Sequence, residues 1–389
     1  MFRRLLVLVA LVACAACAQA APALEVEAYL LMDRLTQTAL ASRNENKRVN
    51  PGNTTSLMVL YVLERAVADN RLQPRSQVSI SADALSLPPL NASRFYVENS
   101  KSYTVSDLMS AVAAIGANDA IIALAEHVAG SVEGFVQMMN EAAKKLGMHD
   151  THYVWPIAID SVAQYTTAKD IYVVTEALLK EFPGAEKLWM QPYVNNGLLR
   201  FKNTNPLIWR NEFIRGVHMS GVGHRQYSAV GYFAQNFTEG DLRFSRQTIA
   251  VCLNGKSSES VSSGTMELIT WGAQNFKTLL VYTPKDVIDR ISVSLSANAS
   301  VRVGVKENVY VTVEQKLALD DGRQDFSASV ERMDPLVAPI RADERIGTLH
   351  IYHKDKEVAQ APLFALHDVE STTFWYRAWQ SLRSLMANL

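Results

Sequence analysis

Cysteine is scarce in this 389-residue chain, with Cys14, Cys17 and Cys252 the whole complement. The first two fall in an N-terminal leader. Arg3 and Arg4 precede a short apolar run, Leu5 to Ala13, and Ala18-Gln19-Ala20 offers a small-x-small cleavage site. Cleavage after Ala20 leaves Cys252 alone, which excludes an intramolecular disulfide in a compartment that would allow one. The run Leu11-Val12-Ala13-Cys14 also resembles a lipoprotein box, so a lipid anchor on Cys14 is the alternative reading. Cys252 itself lies in the apolar run QTIAVCLNG, where an inert core thiol is expected.

An excess of one charge is absent too. Thirty-eight Lys and Arg against 39 Asp and Glu give a formal net charge of −1, and nothing suggests a nucleic-acid partner. After the leader, no apolar run is long enough to span a membrane. No G-x-S-x-G, H-E-x-x-H or glycine-rich phosphate loop occurs. His149-x-x-His152 and His350-x-x-His353 have pair spacings found in metal sites, but neither has a Cys or carboxylate partner at a ligand spacing. No metal and no cofactor is expected.

What is present is an α+β pattern. EAYLLMD, YSAVGYFAQNF and RQTIAVCLNG have strand character. Helical runs start at Leu57, at Ser106 with that serine as N-cap, at SVEGFVQMMNEAAKKLG closed by Gly147, at TTAKDIYVVTEALLKEF, and at SSGTMELITWGAQNFKTLL. Asp119 reads as a helix N-cap and Asp160 as a loop residue. The mixture predicts helices packed on an antiparallel sheet over residues 21–283. From about Pro284 to residue 370 the texture is all-β. Val301, Val303, Val305 and then Val309, Val311, Val313 alternate at period two, and RIGTLHIYHKDKEVAQAPLFAL reads as a hairpin. Over 371–389, Phe374, Trp375, Trp379, Leu382, Leu385 and Met386 fall on one face of a basic amphipathic helix, which suits a membrane surface.

This order of parts resembles the low-molecular-mass penicillin-binding proteins, the periplasmic D-alanyl-D-alanine carboxypeptidases. The resemblance runs over nearly the whole mature chain, through EAYLLMD, the stretch AIGANDAIIALAEHVAGSVEGFVQMMNEAAKKLGMHDTHY, QYTTAKDIYVVTEALL and ELITWGAQNF. It implies a penicillin-recognising serine-transferase (beta-lactamase-like) domain, a small β domain and a C-terminal helix that holds the protein at the inner membrane.

The family's chemistry rests on three motifs, and all three are altered here. In S-x-x-K the serine is acylated and the lysine one turn later takes its proton. Matching NPGNTTSLMVLYVL on Pro51 and Tyr61 puts Asn53 at the nucleophile and Ser56 at the base, and no S-x-x-K occurs anywhere in the chain. In S-x-N, Gly116 stands at the relay serine and Asn118 at the substrate-binding asparagine. In Lys-Thr-Gly, RGVHMSGVG gives His218, Met219 and Ser220. His218 is charged only part of the time near neutral pH. The loop WPIAIDSVAQY lacks the family's Gly-Leu element, with Asp160 at a matching place.

The resemblance with its losses implies a catalytically inactive envelope protein. It would bind peptidoglycan stem peptides, with Asn118 and His218 as the surviving contacts, or a partner protein. The alternative is an active serine-type D-alanyl-D-alanine carboxypeptidase with a rearranged site using Ser56 or Thr55.

Overall fold

The computed structural model describes residues 21–86, 93–159, 161–209, 214–220, 227–239, 242–296, 300–315, 326–332, 334–353 and 355–371. The leader, Asp160 and the terminal apolar face at Phe374, Trp375, Trp379, Leu382, Leu385 and Met386 lie outside these residues.

The chain opens with β1 (Ala28–Asp33) and β2 (Thr38–Arg43), then the helix α1 (Thr55–Ala68). A small region of β3 (Gln77–Val78), α2 (Ala82–Leu85) and β4 (Tyr103–Thr104) leads into α3 (Val105–Ile115), α4 (Asn118–Ala129) and α5 (Val132–Lys145). Next come α6 (Ala168–Glu181), α7 (Glu186–Trp189) and a hairpin, β5 (Tyr193–Asn195) with β6 (Arg200–Lys202). Three long strands follow, β7 (Ile214–Ser220), β8 (Tyr227–Glu239) and β9 (Leu242–Gly255), and then α8 (Ser258–Asn275).

The main sheet is antiparallel in the order β2-β1-β9-β8-β7. Alternation along β9 explains why QTIAVCLNG is apolar without a break. Ile249, Val251 and Leu253 face the core built by α1 and α3 to α6, whereas Ala250 and Cys252 face the core under α8. Helices cover both faces, so successive side chains all need to be apolar. Burial pushes the Cys252 thiol up to about 12, which keeps it protonated, in keeping with an inert core residue. On β8 the α8 helix approaches so closely that a β-carbon on Gly231 would lie 2.7 Å from the Thr265 methyl and 3.0 Å from Ile269.

Three local expectations are corrected. Thr104, not Ser106, caps α3: its hydroxyl accepts from Asp107 N–H, and Asp107 returns a bond to the Thr104 amide. Thr104 wins because it alone has the extended backbone that aims its hydroxyl at the helix entrance. Asp119 lies inside α4, and its carboxylate accepts from the amides of Phe95 at 2.9 Å and Val97 at 3.1 Å. The cap position is Ala117, and Asp119, one residue inside the helix, clamps this neighbouring segment while also accepting from Ala120 N–H of α4 at 3.0 Å. The helix expected over 262–280 begins earlier, capped by Ser257, and stops at Asn275. FKTLL is instead the start of a strand, β10 (Phe276–Tyr282). The expected close at Gly147 is found, with φ +77 and Met148 N–H bonded to Ala143 C=O at 2.9 Å.

The remaining strands are β11 (Asp289–Ser294), β12 (Ser300–Gly304), β13 (Val309–Glu314), β14 (Phe326–Arg332), β15 (Leu336–Val337), β16 (Arg345–His353) and β17 (Lys356–Ala365). They form a sheet in the order β14-β16-β17-β12-β11-β15, and β13 pairs with β10. The alternating valines 301, 303, 305, 309, 311 and 313 are all buried in one core, and β16 with β17 forms the expected hairpin.

His350 on β16 stands between Glu357 of β17, 2.7 Å from Nδ1, and Glu331 of β14, 3.1 Å from Nε2. The bond from Glu357, aided by Glu331, holds the imidazolium above its ordinary 6.5. A raised folded value means that the contribution to stability is complete below the unfolded value and fades as pH rises through the folded one. NMR titration of the ring should therefore give a midpoint above 6.5, and His350→Gln should flatten the β domain's melting temperature across that window. A midpoint at or below the free value would contradict this.

Candidate functional site

The entrance to α1 is a single turn of 3-10 helix, Gly52–Thr54, set up by Pro51 and by Gly52 at φ +53. Asn50 fixes this turn. Its side-chain oxygen accepts from Gly52 N–H at 2.8 Å and its amide donates to Ile159 C=O at 2.8 Å. The helix that follows is apolar on all sides, with Leu57, Met58, Val59, Leu60 and Leu63 without exposure, as suits a helix at the centre of a core. It packs against α3, α4, α5 and α6, and the turn before it rests on β7 and β8.

The hydroxyl run at this entrance is fully engaged. Thr54 donates to Pro51 C=O at 2.6 Å, Thr55 to Gly52 C=O at 2.7 Å and Ser56 to Asn53 C=O at 2.9 Å. Thr55 is 1 % and Ser56 3 % exposed. Asn53 is half-buried. Nucleophilic attack requires an accessible hydroxyl with a base to take its proton, whereas these three hydroxyls are buried and each donates to a backbone carbonyl.

Residues 154–157 are tied to the entrance through Gln164, itself 1 % exposed. Its oxygen accepts from the amides of Val154 and Trp155, and its amide donates to Ile157 C=O at 3.1 Å and Thr55 Oγ1 at 3.4 Å. Sequence reading missed both Asn50 and Gln164 as organisers of the site. Both lie in largely polar stretches, NKRVNPGNTTS and DSVAQYTT, so no local pattern marks them, and the partners Ile159 and Thr55 come from distant segments.

Gly116 ends α3 in the left-handed region, φ +62, which glycine adopts without the roughly 1–2 kcal/mol that a β-carbon adds. Asn118 begins α4 and is 8 % exposed; its backbone amide donates to Ser93 C=O at 2.9 Å. Its side chain takes no hydrogen-bond partner among the described residues. His218 sits on β7 opposite Val230 of β8, just past a register shift at Gly216. Three segments thus converge: the α1 entrance, the α3–α4 junction and the edge strand β7. Two cavities lie elsewhere, neither lined by Asn53, Ser56, Gly116 or Asn118. One of about 640 Å³ lies between Leu35, Thr36 and the β domain, and one of about 500 Å³ lies beside the far half of α1.

This architecture, a helix entrance and a helix junction facing the edge of a five-stranded antiparallel sheet with a β-rich module behind, is that of the penicillin-binding proteins. The crystal structure of penicillin binding protein 5 from Haemophilus influenzae superposes with a TM-score of 0.78 at 23% identity, covering 90% of this chain and 99% of that one. A D-alanyl-D-alanine carboxypeptidase profile matches residues 15–229, and a profile of the penicillin-binding protein 5 C-terminal domain matches 276–371. The chain belongs to the D-alanyl-D-alanine carboxypeptidase family. It is similar to the D-alanyl-D-alanine carboxypeptidase DacD of Salmonella typhimurium, 29% identical over 90% of this chain and 87% of that protein. It is similar also to DacC of Escherichia coli, 28% identical over 92% and 88%.

Proposed function

We propose that this protein is a catalytically inactive member of its family that acts in the cell envelope by binding rather than by cleavage. The observation that carries the reading is the α1 entrance. Asn53 and Ser56 stand where the family's serine and lysine are matched, and an amide cannot be acylated as a serine is. The nearby hydroxyls of Thr55 and Ser56 are buried and bonded to carbonyls, which weighs against the rival of an active enzyme with a rearranged nucleophile. Lack of acylation by a fluorescent penicillin is the direct test. Release of D-alanine from a pentapeptide, abolished by Ser56→Ala, would support the rival instead.

The ligand this reading favours is a peptidoglycan stem peptide, because the relatives are D-alanyl-D-alanine carboxypeptidases and Asn118 keeps a polar side chain at the cleft. Calorimetric titration with a stem pentapeptide should give an affinity about fivefold to tenfold weaker for Asn118→Ala, the worth of one hydrogen bond of about 1–1.5 kcal/mol. An unchanged affinity would remove the cleft as the binding site and favour a protein partner. The terminal helix is proposed to hold the protein at the membrane surface. No helix among the described residues is long and apolar enough to cross a membrane.

A further inference from the structure

The β5–β6 hairpin has two unlike faces. Its pairing sets Tyr193 opposite Lys202, Val194 opposite Phe201 and Asn195 opposite Arg200. Val194 and Phe201 turn inward, with Phe201 5.5 Å from the Phe95 ring. By the period of two, Tyr193, Arg200 and Lys202 share the outward face. There they form a row with Trp209. The Arg200 guanidinium lies 3.7 Å over the Tyr193 ring, Tyr193 meets Trp209 edge-on at 5.7 Å, and the Lys202 ammonium lies 4.7 Å over Trp209.

This face is open and carries the two cations Arg200 and Lys202. Tyr193 is 38% and Trp209 43% exposed, and from Leu188 to Trp209 the sequence has no acidic residue. Neither Arg200 nor Lys202 enters an ion pair among the described residues. The rings already order the two long cationic side chains, so little rotamer freedom is left to lose on binding.

The hairpin is also fixed to the cleft. Thr204 N–H donates to Ala114 C=O at 3.1 Å, two residues before Gly116. Asn196 donates to Phe95 C=O at 2.8 Å, in the segment whose amides Asp119 holds. The turn Pro206–Trp209 packs against β7. A chain bound at Asn118 therefore has this row as its neighbour.

We infer that the outward face of the β5–β6 hairpin is a second binding surface, for a carboxylate-bearing glycan-peptide polymer, whose carboxylates meet Arg200 and Lys202 and whose sugar rings lie against Tyr193 and Trp209. Guanidinium and ammonium groups with no ion-pair partner among the described residues select carboxylates, and flat rings present apolar surface to the C–H faces of a saccharide. The inference rests on the binding role proposed above and names the part of peptidoglycan that the cleft alone would not hold.

The test is cosedimentation of the purified mature protein with isolated peptidoglycan sacculi, beside titration with a free stem pentapeptide and flotation with vesicles of anionic phospholipid. Arg200→Glu/Lys202→Glu should weaken sacculus binding about tenfold or more and leave pentapeptide affinity unchanged. The neutral pair Arg200→Gln/Lys202→Gln should fall between, with circular dichroism unaltered. Sacculus binding unchanged in both pairs but lowered by Asn118→Ala would overturn the hairpin surface and keep the cleft. Loss in the hairpin pairs, with no pentapeptide binding in any form, would keep the surface and overturn the cleft. Vesicle binding lost in the hairpin pairs while sacculus binding persists would overturn the inference in favour of a lipid headgroup surface.

Discussion

Incubated with a fluorescent penicillin, the purified protein should carry no label after denaturation, under conditions in which an active relative labels fully. Acylation needs a nucleophile and a group to take its proton. In serine hydrolases the loss of either alone lowers turnover on the order of 10⁶-fold, and the residue is supplied by binding and the oxyanion hole. On the matching behind the proposed function both are lacking at once, with Asn53 and Ser56 in their places. The structure adds a second barrier for any substitute: Ser56 is 3 % exposed and its hydroxyl donates to Asn53 C=O at 2.9 Å. Restoring the nucleophile alone, with Asn53→Ser, should still give no label, because no lysine stands one turn later. A denaturation-stable adduct on the wild-type protein, mapped to Thr55 or Ser56, would sink the binding-only reading.

Asp33→Ala should lower unfolding stability by about 3–5 kcal/mol, the usual cost of removing one partner of a buried ion pair. Asp33 has no exposure and Arg246 is 3% exposed. One carboxylate oxygen accepts from Arg246 Nε at 3.2 Å, Thr278 Oγ1 at 3.2 Å and Thr312 Oγ1 at 3.0 Å. The other accepts from Leu35 N–H at 2.9 Å and Thr36 N–H at 3.3 Å. These groups come from β1, β9, β10 and β13, so the carboxylate ties the main sheet to the β module. Burial pushes the Arg246 guanidinium below its ordinary range, with Asp33 opposing that shift. Without Asp33 the guanidinium keeps only the carbonyls of Phe276 and Gly272. Chemical denaturation followed by far-ultraviolet circular dichroism and by tryptophan fluorescence would read the loss, and the two probes should separate as the domains uncouple. The apolar pair Asp33→Leu/Arg246→Met should recover a large part of it, since no charge is then left buried. A loss under 1 kcal/mol for Asp33→Ala would show that the junction is held by its apolar contacts instead.

Neither member of that junction stands out in the sequence. Asp33 closes a strand and Arg246 lies within another, 213 residues further on. Asp119 was legible only as a polar residue near a helix start, and its clamp on Phe95 and Val97 depends on a segment that precedes it by some twenty residues. The hairpin row was equally hidden, because Tyr193, Arg200, Lys202 and Trp209 meet only once β5 pairs with β6.

The sequence by itself determined the periodic features. It showed α1 as a strongly apolar helix, the alternating valines of the β module, and the hairpin of β16 and β17. These are local or depend on spacing along one segment, so burial against any partner produces the same pattern. Only the tertiary structure decided that Thr55 and Ser56 are buried, that Gln164 reaches Thr55 from a segment 109 residues away, and that Asp33 joins the two modules. Those outcomes depend on which distant groups are brought within hydrogen-bond distance in a site closed to water, where each unpaired polar atom is costly and every partner counts.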